Sequence, residues 1–169
     1  MENFINLLDG TRIEAKFNFG TLYYLGQSGG SRLAERLEKK EKRGETPTDM
    51  ESMKMAAKII YAILRSNGKK VTEDEAMSLV PPDTEEIENI VRIFETELEK
   101  HKKKRDCESE YEECDEPLEV DWPLYMVCAR EMGMSEEEFF HTSPIFFDEC
   151  YRIFRERKGQ EVSSLWQMN

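Results

Sequence analysis

The sequence predicts a mainly α-helical protein with a small N-terminal β-hairpin, and two observations carry this prediction. Apolar and polar residues alternate near the N-terminus, and this stretch contains Asp9-Gly10, a dipeptide typical of tight hairpin turns. Further along the chain, helix start signals recur ahead of apolar residues at helical spacing. We therefore expect a hairpin packed on a helical bundle, followed by an acidic linker and a C-terminal helical hairpin.

The alternating pattern runs from Phe4 to Phe19 and predicts two strands at the start of the protein. One face of the second strand is apolar and consists of Ile13, Ala15, Phe17 and Phe19. A lone two-stranded hairpin is marginally stable in water. We expect its apolar face to lie on the helices that follow.

Two helices are predicted before residue 45. Leu22, Tyr23 and Leu25 indicate a short helix that ends near Gly29-Gly30, and Ser31 is the predicted cap of a charged helix over Arg32–Arg43. This second helix has few apolar residues: Leu33, Ala34 and Leu37. It is expected at the surface or in a partner's groove.

Three pairs of residues predict the starts of the next helices: Thr48 and Glu51, Thr72 and Glu75, and Asp83 and Glu86. The helix after Thr48 has the strongest apolar stripe and the stop signal Asn67-Gly68, so we expect it at the centre of the bundle. The helix after Asp83 is predicted to be the longest, and it ends in basic residues that suit the negative end of the helix dipole.

An acidic tract divides the chain. Nine of the sixteen residues from Asp106 to Asp121 are Asp or Glu, and so charged a segment has too little to bury to offset its ordering entropy. We therefore predict an N-terminal domain over 1–105, a flexible linker over 106–120, an aromatic helical segment over 121–157 and a tail over 158–169.

The segment after the linker has local signals for compact helices. Asp121 is a helix cap with Pro123 in the first turn, and Gly133 suits the left-handed residue that closes the helix. A second start has the capping-box pair Ser135 and Glu138, and a third has the cap–proline pair Ser143-Pro144.

This segment is rich in large rings, namely Trp122, Phe139, Phe140, Phe146, Phe147 and Tyr151. Any one of them is more often an ordinary core residue than a contact residue. About thirty residues rarely enclose so many rings without a partner, however. We therefore predict that these rings, with Pro144 setting a helix start, form a partner-binding face.

Composition excludes several classes of function. The net charge of −12 disfavours nucleic acid as the main partner, because phosphate binding needs clustered Lys and Arg. The sequence has no membrane-length apolar run and no signal-peptide pattern at its start, so we expect a cytosolic protein that does not bind a membrane. The cysteines at 107, 114, 128 and 150 are expected to be reduced.

No catalytic, cofactor or metal site is predicted. His101 lies in a lysine-rich helix end and His141 precedes a helix cap, and neither is near a nucleophile motif. Cys107 and Cys114 flank acidic residues, but their order matches no calcium-binding loop. We expect a non-enzyme, and the alternative is an enzyme whose catalytic site has no recognised motif.

Two regions resemble the tail assembly chaperones of long-tailed bacteriophages. One runs from Asp121-Trp122-Pro123-Leu124 through Met134-Ser135 and Phe139-Phe140 to Thr142-Ser143-Pro144 and an aromatic helix ending near Tyr151. The other runs from Ile5-Asn6-Leu7-Leu8-Asp9-Gly10 to Phe19-Gly20 and on into helices. Together the two regions cover most of the chain.

The resemblance implies a protein that coats and solubilises the tape measure protein, recruits tail tube subunits, and is absent from the finished virion. It implies the host cell cytoplasm as location, and a homo-oligomer is among the expected associations. In this family the C-terminal segment, often added by a programmed ribosomal frameshift, recruits the tube subunits. The six rings and Pro144 are therefore the expected tube contacts, and Tyr23, Tyr24, Leu33 and Leu37 the expected tape-measure contacts. The alternative is a small acidic adaptor or inhibitor that binds a basic partner.

Overall fold

The computed structural model describes residues 4–15, 17–106 and 120–159, with the backbone alone at 99–106. It is mainly helical with a two-stranded antiparallel hairpin, which confirms the predicted fold class. The elements are β1 (Phe4–Asn6), β2 (Arg12–Glu14), α1 (Phe19–Gln27), α2 (Gly30–Glu41), α3 (Asp49–Ser66), α4 (Glu73–Ser78), α5 (Thr84–Asp106), α6 (Trp122–Glu131), α7 (Glu136–His141) and α8 (Pro144–Arg157). Most of the predicted linker and tail lies outside the described residues.

The hairpin has the predicted turn. Ile5 pairs with Ile13 in the antiparallel register, Gly10 adopts a left-handed φ of 80°, and the Asp9 carboxylate accepts a hydrogen bond of 2.8 Å from the Thr11 N–H. That hydrogen bond is the main reason why the pKa of Asp9 is lowered. The turn chemistry is therefore local, as sequence reasoning assumed.

The second strand is shorter than predicted, because it ends at Glu14 and not at Phe19. Ile13 and Phe17 are both buried, as the alternation predicts. The chain then enters α1, whose cap is Asn18: its side chain accepts from the Thr21 N–H at 2.8 Å. Phe19 is therefore the first residue of α1 and not the last residue of a strand, and its ring is buried.

The start of α2 also differs from the prediction. Gly29, in the left-handed conformation with φ of 74°, occupies the cap position, and the helix begins at Gly30. Ser31 lies inside the first turn and is not the cap. Gly29 directly follows Ser28, the C-cap of α1, and glycine is favoured over serine at such a left-handed position after a helix.

The helix α3 has the predicted capping box and stop signal. The Thr48 hydroxyl accepts from the Glu51 N–H, the Glu51 carboxylate accepts from the Thr48 N–H, and Gly68 follows the helix with φ of 78°. Thr72 and Glu75 form the same box at α4. Asp83 accepts from the Glu85 N–H at the start of α5.

A first core is formed by the hairpin and the helices α1 to α5. Ile59 and Ile60 of α3 are fully buried at its centre. Its buried members are Ile5, Leu7, Ile13, Phe17, Leu25, Leu33, Leu37, Met55, Ala56, Ala57, Ile59, Ile60, Ala62, Ile63, Leu64, Ala76, Val80, Ile87, Ile90 and Phe94. The central position of α3 agrees with its apolar stripe.

Three helices follow the acidic tract, each starting at the predicted residue. Asp121 accepts from the Leu124 N–H at α6, Ser135 and Glu138 form a capping box at α7, and Ser143 accepts from the Phe146 N–H at α8. Gly133 closes α6 with φ of 82°. No helix within the described ranges is both long and apolar enough to cross a lipid bilayer.

Candidate partner-binding surface

The C-terminal helices enclose a second core around Phe19 of α1. The Phe19 ring is stacked on Phe139 with centroids 4.6 Å apart, and it lies 5.3 Å from Tyr125 and 5.4 Å from Phe147. The buried members of this aromatic core are Phe19, Tyr125, Cys128, Ala129, Phe139, Phe147 and Tyr151. A ring from the N-terminal part thus completes the core of the C-terminal part.

This core corrects part of the sequence-based interpretation. Phe139 and Phe147 are 0% exposed and Tyr151 is 5% exposed, and Pro144 is also buried. These four predicted contact residues offer no surface to a partner in this fold. The segment does not enclose its rings alone, because Phe19 of α1 packs among them.

Backbone contacts also join α1 to the C-terminal helices. The Phe19 N–H donates to the Thr142 carbonyl at 3.1 Å. At Gly20 a Cβ would lie 3.1 Å from the Phe140 carbonyl oxygen and 3.0 Å from Ser66 Cβ. Gly20 therefore permits α3, α7 and α1 to approach more closely than a side chain would allow.

A second group of rings is only partly exposed, and its members are joined through Tyr23. Tyr23 lies at its centre, 5.4 Å from Tyr24, 5.4 Å from Trp122 and 5.3 Å from Phe140. Tyr24 lies 6.4 Å from Tyr61 of α3. We call Tyr61, Tyr24, Tyr23, Trp122 and Phe140 the aromatic band. It combines predicted tape-measure residues with predicted tube residues.

Charge differs between the two ends of the aromatic band. Near Tyr24 and Tyr61, the Arg65 guanidinium lies 5.0 Å from the Tyr24 centroid. At the other end, Asp121 precedes Trp122, and the exposed Glu136 and Glu137 lie one helical turn before Phe140. The band is therefore basic at its α3 end and acidic at its α6–α7 end.

A separate apolar surface lies on α8. Phe146 is 58% exposed and Ile153 is 43% exposed, and a spacing of seven residues puts them on one face of the helix with Cys150 between them. We call Phe146, Cys150 and Ile153 the α8 stripe. Phe146 is the predicted contact residue that remains most exposed.

The remaining predicted contact residues lie in the first core. Leu33 and Leu37 of α2 are 7% and 8% exposed and pack within that core. They hold α2 on the bundle, so their side chains are not available to a partner. This places α2 at the surface through its charged face, as its composition predicted.

The side chains that most often carry catalysis or bind metals, those of His and Cys, lie in different surroundings. His141 is exposed, with Nδ1 2.8 Å from the Glu137 carbonyl oxygen. Cys128 is buried, and burial raises the pKa of its thiol, which disfavours the reactive thiolate. Within the described ranges, no cluster of three or more His, Cys, Asp or Glu is arranged to hold a metal ion. Cys107 and Cys114 lie outside those ranges.

Burial also affects the neighbour of Cys128 in the aromatic core. Burial raises the pKa of the Tyr151 hydroxyl, and a hydrogen bond with Cys128 raises it further. Both shifts favour the neutral forms of the two groups.

Comparison with known proteins does not identify a family. No protein-family model, curated protein or solved structure matches the chain.

Proposed function

We propose that this protein is a tail assembly chaperone of the type made by long-tailed bacteriophages, acting in the host cell cytoplasm without catalysing a reaction. One observation carries the proposal: a single helical protein has two separate, partly exposed apolar surfaces, the aromatic band and the α8 stripe. A chaperone that connects two structural proteins needs two such surfaces. The helical bundle with an N-terminal hairpin also agrees with the fold that the resemblance implies.

In this proposal the aromatic band binds the tape measure protein. The tape measure protein is expected to be a long helical protein, and amphipathic helices dock on apolar surfaces of helical bundles. Partly exposed Tyr and Trp rings suit such contacts because each has an apolar body and a polar atom. The strongly charged remainder of the surface, with its net charge of −12, keeps the complex soluble.

The α8 stripe is the proposed site for tail tube subunits. Phe146 and Ile153 lie on α8, the helix that also contributes Phe147 and Tyr151 to the aromatic core. Among the described residues, neither of the two side chains makes a ring contact with the band. An exposed Phe and an exposed Ile on one helix face can enter an apolar groove of a partner, as the apolar faces of amphipathic helices do. The chaperone is then released, so neither partner retains it in the finished virion.

Co-expression tests the proposal. The chain is produced with the tape measure and tail tube proteins of the phage that encodes it, and the soluble fraction and co-purified partners are measured. We expect the wild-type chain to keep the tape measure protein soluble, whereas Trp122→Ala and Tyr61→Ser reduce this several-fold. Phe146→Ser should keep that activity and lose the tube protein.

The matched control is Leu8→Ser, which removes an equally exposed apolar side chain on the hairpin. It should behave as wild type in both assays. A wild-type chain that leaves the tape measure protein insoluble contradicts the proposal.

A second candidate function is a small acidic adaptor or inhibitor of a basic protein. Exposed acidic residues in the first turns of α4, α5 and α7 favour it. This candidate predicts binding that weakens steeply between about 50 and 500 mM salt, because exposed charges are screened. Apolar docking predicts little change over the same range, so one salt titration separates the two functions.

A further inference from the structure

We propose that the aromatic band binds an amphipathic helix with an apolar stripe and opposite charges at its two ends. An acidic end lies near Arg65 and a basic end lies near Asp121, Glu136 and Glu137. This inference rests on the proposed function, in which the band is the tape-measure surface, and it defines the chemistry of the segment that the band selects.

The spacing of the rings favours a helix as the ligand. Successive centroids along the band are 5.3–6.4 Å apart, and one turn of an α-helix rises about 5.4 Å. A helix that lies along the band therefore presents one apolar residue per turn to each ring or to the gap beside it. Three ring-to-ring steps lead from Tyr61 through Tyr24 and Tyr23 to Trp122, and Phe140 branches from Tyr23. Three such steps correspond to roughly three turns of a helix.

Arg65 is the cation available at the α3 end. Its guanidinium lies over the Tyr24 ring, and none of the described carboxylates forms an ion pair with it. Its Nε is buried without a hydrogen-bond partner among the described residues. The neighbouring Lys58 is already used, because its amine donates to the Ser28 carbonyl and pairs with Glu73. A partner carboxylate would therefore meet Arg65 first.

Three exposed carboxylates mark the other end of the band. Asp121 is the residue before Trp122, and Glu136 and Glu137 lie four and three residues before Phe140 on α7, where side chains share one helix face. Asp121 also accepts from the Leu124 N–H as the cap of α6, and the Glu138 carboxylate is bound to Ser135 in the capping box of α7. Glu136 and Glu137 are therefore the carboxylates at this end that do not cap a helix. A Lys or Arg of the partner would be attracted to this end, and its cation can also rest on the Trp122 face.

Three synthetic helical peptides test the inference. They share one Leu/Ile stripe and differ only at their ends, which are Glu and Lys, Lys and Lys, or Glu and Glu. Binding to the full chain in a Trp166→Phe background is followed by Trp122 fluorescence and by peptide anisotropy. Opposite orientations of the mixed peptide are equivalent for this test, because a helix can reverse on the surface.

We expect the mixed peptide to bind about fivefold more tightly than either of the others, since one exposed ion pair is replaced by one repulsion in each case. Arg65→Ala should remove the difference between the mixed and the Lys/Lys peptides. Arg65→Lys should restore it. Arg32→Ala is the control, because Arg32 is an exposed arginine of α2 that contacts none of the rings among the described residues, and this variant should leave all three affinities unchanged.

Equal affinities for the three peptides overturn the charge selectivity. A Lys/Lys peptide that binds most tightly also overturns it and favours an acidic adaptor instead. Binding that survives Trp122→Ala and Tyr61→Ser overturns the assignment to the band. The co-expression assay is independent of these results, so failure of this inference and failure of the proposed function are distinguishable.

Discussion

The first core and the aromatic core are both closely packed, but the first is built mainly from aliphatic side chains and the second mainly from aromatic rings. Within the described residues, the first core has twenty buried apolar side chains from the hairpin and five helices, mostly aliphatic. The aromatic core has seven, and four of them are phenylalanine or tyrosine from three short helices, with Phe19 supplied by α1. Few residues suffice for the aromatic core because each ring buries a large surface area.

We infer from this difference that the aromatic core depends on the first core more than the first core depends on the aromatic core. The aromatic core takes its central ring from α1, whereas the buried members of the first core come from residues before the acidic tract. Loss of the C-terminal packing would expose Phe19 but leave the first core intact. Unfolding of the first core would also unfold α1, which carries the Phe19 ring on which the C-terminal helices pack.

The largest effect is expected from Phe19→Ala. Removal of this ring, which contacts Phe139, Tyr125 and Phe147, should lower the free energy of unfolding by about 3–5 kcal/mol. Hydrogen exchange should accelerate in α6 to α8 and much less in α3, and mass spectrometry of the exchanged peptides measures this.

Ile60→Ala is the control for that experiment. It removes a fully buried side chain of the first core and should cost about 2–5 kcal/mol. Exchange should then increase in α3 and in the C-terminal helices together. Equal exchange patterns in the two variants would contradict the unequal dependence of the cores.

A smaller effect is expected from Gly20→Ala. The new Cβ would meet Ser66 Cβ and the Phe140 carbonyl oxygen at about van der Waals overlap, so we expect a loss of about 1–3 kcal/mol in urea unfolding. Gly26→Ala on the same helix is the matched control, because its Cβ would have Ser31 Oγ at 3.9 Å as a neighbour. Alanine favours the helix, and this variant should be stabilised by about 0.5–1 kcal/mol. Equal stability of both variants argues against close contact at Gly20.

The helix caps allow the two regions to be compared one turn at a time. Thr48→Ala and Ser135→Ala each remove a capping-box hydroxyl, and each should cost about 1 kcal/mol. The first should lower the midpoint of the main thermal transition. The second should mainly increase proteolysis of the C-terminal helices, and limited trypsin digestion measures it. If Ser135→Ala lowers the midpoint of the main thermal transition without increasing proteolysis of the C-terminal helices, the two regions do not respond separately to the loss of a cap.

The smallest effect is a dependence on pH at Glu51. Hydrogen bonds from Lys40, then from Thr48, lower the pKa of this carboxyl from 4.5 to about 2. A carboxyl with a lowered pKa in the folded state stabilises the fold above its unfolded pKa, and this contribution is lost as pH falls from about 4.5 to about 2. Glu51→Gln should be less stable than wild type at pH 7 and equal to it near pH 2 in urea titrations. The Thr48 variant retains the Lys40 contact and should keep part of the pH dependence.

Helix starts and turns were well predicted, because their signals act over three or four residues. The capping boxes at Thr48, Thr72 and Ser135 and the cap at Asp121 all form as predicted. The errors concern residues with two local options. Phe17 is buried, as the alternating pattern predicts, although the strand already ends at Glu14. The start of α2 is set by the left-handed conformation of Gly29 and not by Ser31.

The candidate surface was predicted only in part. Tyr23, Tyr24, Trp122 and Phe140 are named by sequence reasoning but assigned to two different contacts, and the structure joins them in one band. Tyr61 was missed because it lies beside the apolar stripe of a helix interpreted as core. A signal was present, since Lys58, Tyr61 and Arg65 share one face of α3 at helical spacing.

Hydrogen bonds between near neighbours account for the hairpin turn, for the glycine helix ends and for the capped helix starts at Thr48, Thr72, Asp121, Ser135 and Ser143, so residue patterns predict these features. Which rings are buried and which form a surface is set by the packing of helices that are distant in the chain. Burial depends on which distant helix covers a ring, and here α1 inserts Phe19 among Phe139, Phe147 and Tyr125. The same packing leaves Phe146 exposed and brings Trp122 beside Tyr23, and no local pattern records either result.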